Sequence, residues 1–226
     1  MPARRAPLTR ERAVQAATAL ADEHGLAALT MRALAERLGV RPMAVYHHVP
    51  HKDALLGLLV EEVLGQVAPP PPGAPWREAL GTRCRSAREV LRAHPWALVL
   101  LESRRTPGPT SLEHHDAVLG TLLGAGFDVP AAGHAYALLD AFVYGFVLQE
   151  STLPFDDAHA PEVADEIVAA VPEGAYPHLV RFARERVREG YAFGDEFEVG
   201  LRLVLDAVAS LHPGATDRAG RRTVDA

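Results

Sequence analysis

One cysteine, Cys84, stands in 226 residues. No disulfide can therefore form within the chain, and a reducing, cytoplasmic setting is the expectation. Met1 to Leu8 carries arginines but no apolar core of the kind a secretory signal needs. The most apolar stretch, Ala135 to Leu148, is interrupted by Asp140 and is short for a bilayer crossing. It reads as a buried helix, and no membrane partner is expected. Strand-length alternation and internal repeats are both missing, which points to an all-α fold. No glycine-rich phosphate loop, Ser-His-Asp order or zinc-ligand spacing occurs, so enzyme chemistry lacks its usual residue sets. His114, His115, His134, Asp116 and Asp140 invite a catalytic reading, but they fit surface histidines and helix-capping carboxylates better. No cofactor is expected.

What is present is concentrated in residues 30–52. Ala33, Leu34 and Leu38 recur at the spacing that buries one helix face. Gly39 follows where a helix ends in the left-handed conformation, and Pro42 stands where a new helix begins. Pro50 limits that second helix to about Val49. Two such short helices must pack on neighbours. Together they form a helix-turn-helix, whose second helix enters the DNA major groove.

Charge divides the same way. Residues 1–52 carry eight Lys or Arg against four Asp or Glu, a balance of +4, and the remaining 15 against 25 leave residues 53–226 at −10. A basic head on an acidic body suits a protein that holds phosphates at one end. Arg4 and Arg5 belong to a short arm, and Thr9 caps a first helix that stops at Gly25. Lys52 opens a fourth helix, and the prolines from Pro69 to Pro75 mark the clearest break. The expected division is a DNA-binding head over 1–68, a larger body over 69–212 and a disordered tail over 213–226. In the body, helices are expected over Trp76–His94, Trp96–Arg104, from Thr110 or Ser111 as cap to about Ala125, Ala131–Ser151, Pro161–Val171, Tyr176–Gly190 and Asp195–Leu211. The segment from Leu153 to Pro161 reads as a loop.

From Leu29 to Leu59, the patterns Leu-Thr-x-Arg, Leu-Ala-x-x-Leu-Gly-Val, Val-Tyr-x-His-Val and His-Lys-x-Ala-Leu-Leu resemble the DNA-binding head of the tetracycline repressor family. Gly126-Phe127, the helix around Asp140, and Phe197-x-x-Gly-Leu resemble the body of the tetracycline repressor type. The resemblance implies a homodimer that binds double-stranded DNA at a near-palindromic operator and is released by a small-molecule inducer. It places Arg32 at a base, where a guanidinium can pair both guanine acceptors. Pro42, Met43 and Ala44 form the turn that meets base edges. These side chains favour thymine methyls over hydrogen-bond readout, with Arg41 beside them for a base or phosphate. Tyr46, His48 and Lys52 match phosphate-clamping positions, His47 replaces an aromatic residue there, and Thr30 combines an N-cap with a nearby phosphate. No metal is expected at His47, His48 and His51, because adjacent residues point to different helix faces.

The same resemblance implies an inducer pocket in the body, with Trp96, Leu100, Glu102, Leu119, Tyr136, Phe142 and Gln149 as candidate lining residues. Aligned on Gly126-Phe127, Glu102 falls near the family's metal-binding histidine and Gln149 near a carboxylate that supports the metal-bound water. A neutral Gln149 weakens that support, so an apolar or aromatic inducer with few polar anchors is expected instead of a metal complex. For dimerisation, Leu138, Leu139, Phe142, Val143, Phe146 and Val147 cover much of one helix, and Leu201, Val204, Leu205 and Val208 form a stripe on the last. Paired with their symmetry mates, they predict a four-helix interface. Two other readings stand beside this one. A helical enzyme or small-molecule carrier with an incidental helix-turn-helix would need a convergent catalytic or metal set. An interaction module with a silent head is opposed by the presence of Arg32, Tyr46 and Lys52.

Overall fold

A computed structural model describes residues 7–103, 106–154, 159–172, 174–187 and 191–214. The arm at Arg4 and Arg5, the tail from 215, part of the loop after Leu153 and the last residues of the helix expected to reach Gly190 lie outside the described residues. Among the described residues every regular element is helical.

The head contains α1 (Arg10–Ala28), α2 (Met31–Leu38) and α3 (Pro42–Tyr46). The Thr9 hydroxyl accepts the Arg12 N–H at the start of α1, and the Thr30 hydroxyl accepts the Ala33 N–H at the start of α2. Gly25, at φ 75°, breaks α1 at the expected stop, and a last turn carries the helix on to Ala28. Gly39, at φ 66°, closes α2 in the left-handed conformation that costs glycine little. The structure shortens α3: it ends at Tyr46, and the N–H groups of His48 and Val49 both return to the Val45 carbonyl. Pro50 disfavours helical geometry at Val49, so the chain tightens into a turn instead of continuing. Val45 and Val49 are fully buried and α3 packs on α2, which fixes its pose.

Next comes α4 (Lys52–Leu64), capped by the His51 imidazole, whose Nδ1 accepts the Ala54 N–H at 3.0 Å. This helix packs on α1 and also on α5, α6 and α7. The proline-rich stretch then leads to α5 (Trp76–Ala93), α6 (Ala97–Ser103), α7 (Pro109–Gly124) and α8 (Val129–Thr152). The order closes with α9 (Ala160–Ala170), α10 (Pro177–Phe182) with a wider turn through Val187, and α11 (Glu196–Ser210). One continuous core runs from Ala13 and Val14 through Leu55, Leu59 and Val63 to Leu139, Val143 and Leu201. Thus α4 belongs to the packing of both head and body. By length and composition α8 could cross a membrane; in this fold it packs between α5, α7 and α11.

Two expectations about packing need correction. Neither Thr110 nor Ser111 caps α7: Gly108 takes that position, and the Glu61 carboxylate reaches over from α4 to accept the Thr110 N–H at 2.7 Å and the Ser111 hydroxyl at 3.2 Å. Gly108 leaves room for this contact, since a Cβ there would lie 2.3 Å from the carboxylate. The second correction concerns the stripe expected to join two chains. Leu139, Val143, Phe146, Val147, Leu201, Leu205 and Val208 are buried inside the single chain, and Phe142 and Val204 are half-buried. Only Leu138 of the ten is exposed. The Phe142 ring rests on Gly200, where a Cβ would come within 2.6 Å of it. Because α8 is apolar almost all round, helical period alone does not say which stripe turns inward.

Candidate DNA-binding face and ligand cavity

The residues expected to meet DNA are largely open to solvent in the head. Thr30, Arg32, Arg41, Pro42, Met43, Tyr46, His47 and Lys52 are exposed, and Ala44 and His48 are half-buried. Met43 is 66% exposed on the first turn of α3, with no core to fill. The Arg32 guanidinium pairs with Glu36 one turn along at 2.9 Å, with both side chains largely in solvent. Such a surface pair contributes roughly 0–1 kcal/mol, so a nucleic acid can claim the guanidinium at little cost. Arg37 is taken up differently: it grips Glu23 of α1 through two nitrogens, 2.7 and 2.5 Å away, and so ties α2 to α1.

Beneath the head lies a cavity of about 700 Å³. Ala54, Gly57, Leu58, Glu61 and Leu64 of α4 form one wall, Arg83 of α5 the floor, and Leu101 and Glu102 of α6 another side. Ser111, His114 and His115 of α7 face Tyr136, Asp140 and Tyr144 of α8 across it. Of the expected lining residues, Glu102 and Tyr136 stand in this wall. Leu100 and Trp96 are buried elsewhere, Leu119 is half-buried on α7, Phe142 packs on Phe146 and Phe197, and Gln149 is exposed on α8. Trp96 has a different task, since its indole Nε1 donates to Asp22 of α1.

The lining is more polar than the sequence suggests. Among the described residues Arg83 and Asp140 are two of the three buried polar ones, and they meet at 2.6 Å. Asp140 therefore neither caps a helix nor lies on the surface. Burial opposes the Arg83 charge, but the Asp140 carboxylate outweighs it and holds the guanidinium more firmly protonated than usual. Burial first, and then the same carboxylate, push the phenols of Tyr136 and Tyr144 up, so both remain neutral hydroxyls. The Tyr144 hydroxyl leans toward Asp140 at 3.4 Å. His114 Nε2 bonds to the Leu64 carbonyl on the last turn of α4 at 2.9 Å, and His115 stacks on Tyr136 with centroids 4.5 Å apart. A signal for Arg83 was present in the sequence: it falls on the same α5 stripe as Leu80, Cys84, Ala87 and Leu91, all of them buried.

The magnesium arrangement of the tetracycline repressor does not fit these residues. Glu102 lines the cavity while Gln149 lies on an exposed part of α8. Among the described residues no group of three or more His, Cys, Asp or Glu is placed to hold a metal ion.

Two family models match the chain in tandem: bacterial regulatory proteins of the tetR family over residues 13–59, and the tetracyclin repressor-like C-terminal domain over residues 68–211. The chain belongs to the tetR family. It is a DNA-binding transcriptional regulator of the ligand-responsive kind. An HTH-type transcriptional regulator of Saccharopolyspora erythraea is 36% identical over 176 residues, covering 76% of this chain and 73% of that protein. The class A tetracycline repressor from transposon 1721 in Escherichia coli is 33% identical over 201 residues, covering 87% and 88%. Among solved structures, ActR of Streptomyces coelicolor in complex with actinorhodin superposes with a TM-score of 0.73 at 30% identity, covering 93% of this chain and 99% of that one. Regulators of this family are in general not enzymes.

Proposed function

We propose that this tetR-family chain works in the cytoplasm as a non-catalytic homodimeric repressor, with residues 1–68 as the head that holds a palindromic operator and 69–212 as the body that answers to a small molecule. The observation that carries the reading is the double membership of α4. The helix that walls the cavity through Ala54, Leu58, Glu61 and Leu64 is also the helix packed on α1 of the head. Whatever fills the cavity touches the element that sets the head's angle. A ligand shifts the DNA-binding equilibrium only by binding the released state more tightly, and a wall shared with the head supplies that difference. Polar anchors replace the nearly apolar pocket expected from the sequence. That the related ActR was solved with actinorhodin supports a cavity of this kind as an effector site.

The head supports base contact through Arg32, Arg41, Pro42, Met43 and Ala44, and backbone contact through Thr30, Tyr46, His47, His48 and Lys52. For the dimer, the outward faces of the neighbouring helices α8 and α11 carry Leu138 and Leu148, and Val199 and Leu203, all exposed in the single chain. Footprinting on the DNA upstream of the protein's own coding region tests the reading. The expected result is protection of two half-sites about one helical turn apart, lost on adding an effector. Binding to every duplex without site preference, or no binding at all, overturns it.

A further inference from the structure

Three sulfur atoms lie among the described residues, in Met31, Met43 and Cys84. Two of them are inside the protein. Met31 is 9% exposed and its side chain is part of the core, while Cys84 is fully buried on α5. Met43 is 66% exposed on α3. We propose that Met43 is a site of reversible oxidation whose sulfoxide loosens the hold of the head on its operator. The inference rests on the proposed place of Met43 at base edges.

The reaction needs a two-electron oxidant, for which a hydroperoxide suffices. A lone pair of the Met43 thioether attacks one peroxide oxygen, the O–O bond breaks and an S–O bond forms. With hydrogen peroxide the other oxygen leaves as water; sulfur loses two electrons and the peroxide gains them. A thioether has no proton to shed first, so exposure decides which methionine reacts. Cysteine reacts as the thiolate, and burial both shields Cys84 and keeps its thiol protonated.

Position turns this chemistry into a control on binding. Two places apart on α3, Met43 and Val45 point to opposite sides: Val45 is fully buried and Met43 is open. Tyr46, one turn on from Met43, is exposed as well. A polar group on the Met43 side chain therefore displaces nothing in the core, and the fold should survive its oxidation. What changes is the surface offered to the groove. The thioether is flexible and apolar and suits thymine methyls, whereas the sulfoxide is a polar acceptor that must shed water to lie against them. Tyr46, His48 and Lys52 keep their chemistry, so the loss falls on site preference and not on backbone attraction.

The test treats the full chain with hydrogen peroxide and maps the added oxygen by mass spectrometry. Fluorescence anisotropy then titrates a duplex taken from upstream of its own coding region. Met43 should gain oxygen well before Met31, and more slowly with the duplex bound. Affinity should fall about tenfold over two half-sites, the effect of losing one small apolar contact in each. The salt slope and the affinity for unrelated duplex should stay the same. Methionine sulfoxide reductases should restore binding. Met43→Leu should bind within a few-fold of the parent and ignore peroxide, which sets aside any oxidation of Met1, outside the described residues. Met43→Gln should bind like the oxidised chain without any peroxide. If circular dichroism shows a variant unfolded, loss and recovery in the unaltered chain still decide. Earlier oxidation of Met31, unchanged affinity after oxidation at Met43, an equal loss in folded Met43→Leu, or a changed salt slope overturns the proposal and leaves the DNA-binding reading standing. Failure of the unoxidised chain to bind the duplex removes that reading, and this inference with it.

Discussion

The indole of Trp96 and the carboxylate of Asp22, 74 positions apart, meet at 2.7 Å and fasten the α5–α6 corner of the body to α1 of the head. His94 Nδ1 reaches the same oxygen at 2.7 Å and lies edge-on to the Trp96 ring. Asp22→Ala leaves the indole N–H unpaired in a nearly buried place. The expected loss is about 1–3 kcal/mol in denaturant unfolding, and Asp22→Asn should recover part of it. Unchanged stability in Asp22→Ala would mean that this joint contributes nothing.

DNA binding should weaken by two separable routes. Arg32→Ala should cost on the order of 1–3 kcal/mol and relax preference at one position per half-site. Lys52→Ala should weaken all duplexes about equally and lower the salt slope by about one per half-site. Lys52 is the only lysine in the chain. Acylation mapped to the Lys52 amine should therefore reproduce the Lys52→Ala behaviour, and bound operator should protect that site. Mass spectrometry and a salt titration by fluorescence anisotropy read both effects.

Glu61, in the cavity wall, joins α4 to the first turn of α7. Glu61→Ala should keep operator affinity and effector affinity within a few-fold of the parent while reducing the effector's influence on operator binding. A double titration of DNA and effector measures that coupling directly. An unaltered coupling factor would remove Glu61 from the route.

The outward stripe of α8 and α11 should hold two copies together. Leu203→Arg places a charge at a site 61% exposed in the single chain, so folding should survive while sedimentation shifts to the monomer. Val147 is fully buried, and Val147→Arg should instead unfold the chain. A parent protein that sediments as a monomer at micromolar concentration would refute the interface.

Burial pushes the Cys84 thiol up from its ordinary value near 9 to about 11. The folded state thus holds this proton more tightly than the unfolded one. Its contribution is whole below about pH 9 and is lost as pH rises toward 11. The unfolding midpoint should fall more steeply across that window in the parent than in Cys84→Ala. Iodoacetamide at pH 8 should label the thiol only after denaturation.

Head and body differed in how far their sequences could be read. In the head, the decisive features are local: Thr30 caps a turn three residues away, Gly39 closes the same helix, and Pro42 opens the next. Residue types with a strong preference at helix ends place such elements with little help from the rest of the chain. In the body, the features that matter are pairings across long stretches of chain. Glu61 lies 49 positions from Thr110, and nothing near Glu61 marks it as a cap for another helix.

By itself the sequence determined the all-α class, the helix-turn-helix and the exposed residues around it, because helix signals act over three or four residues and a short polar face has only solvent to turn to. Tertiary structure alone decided which stripe of α8 is core. It also brought Arg83 and Asp140, 57 positions apart, together in a cavity wall that His114 shares. A buried charge must find its partner wherever the packing of whole helices brings one, and no local pattern encodes that meeting.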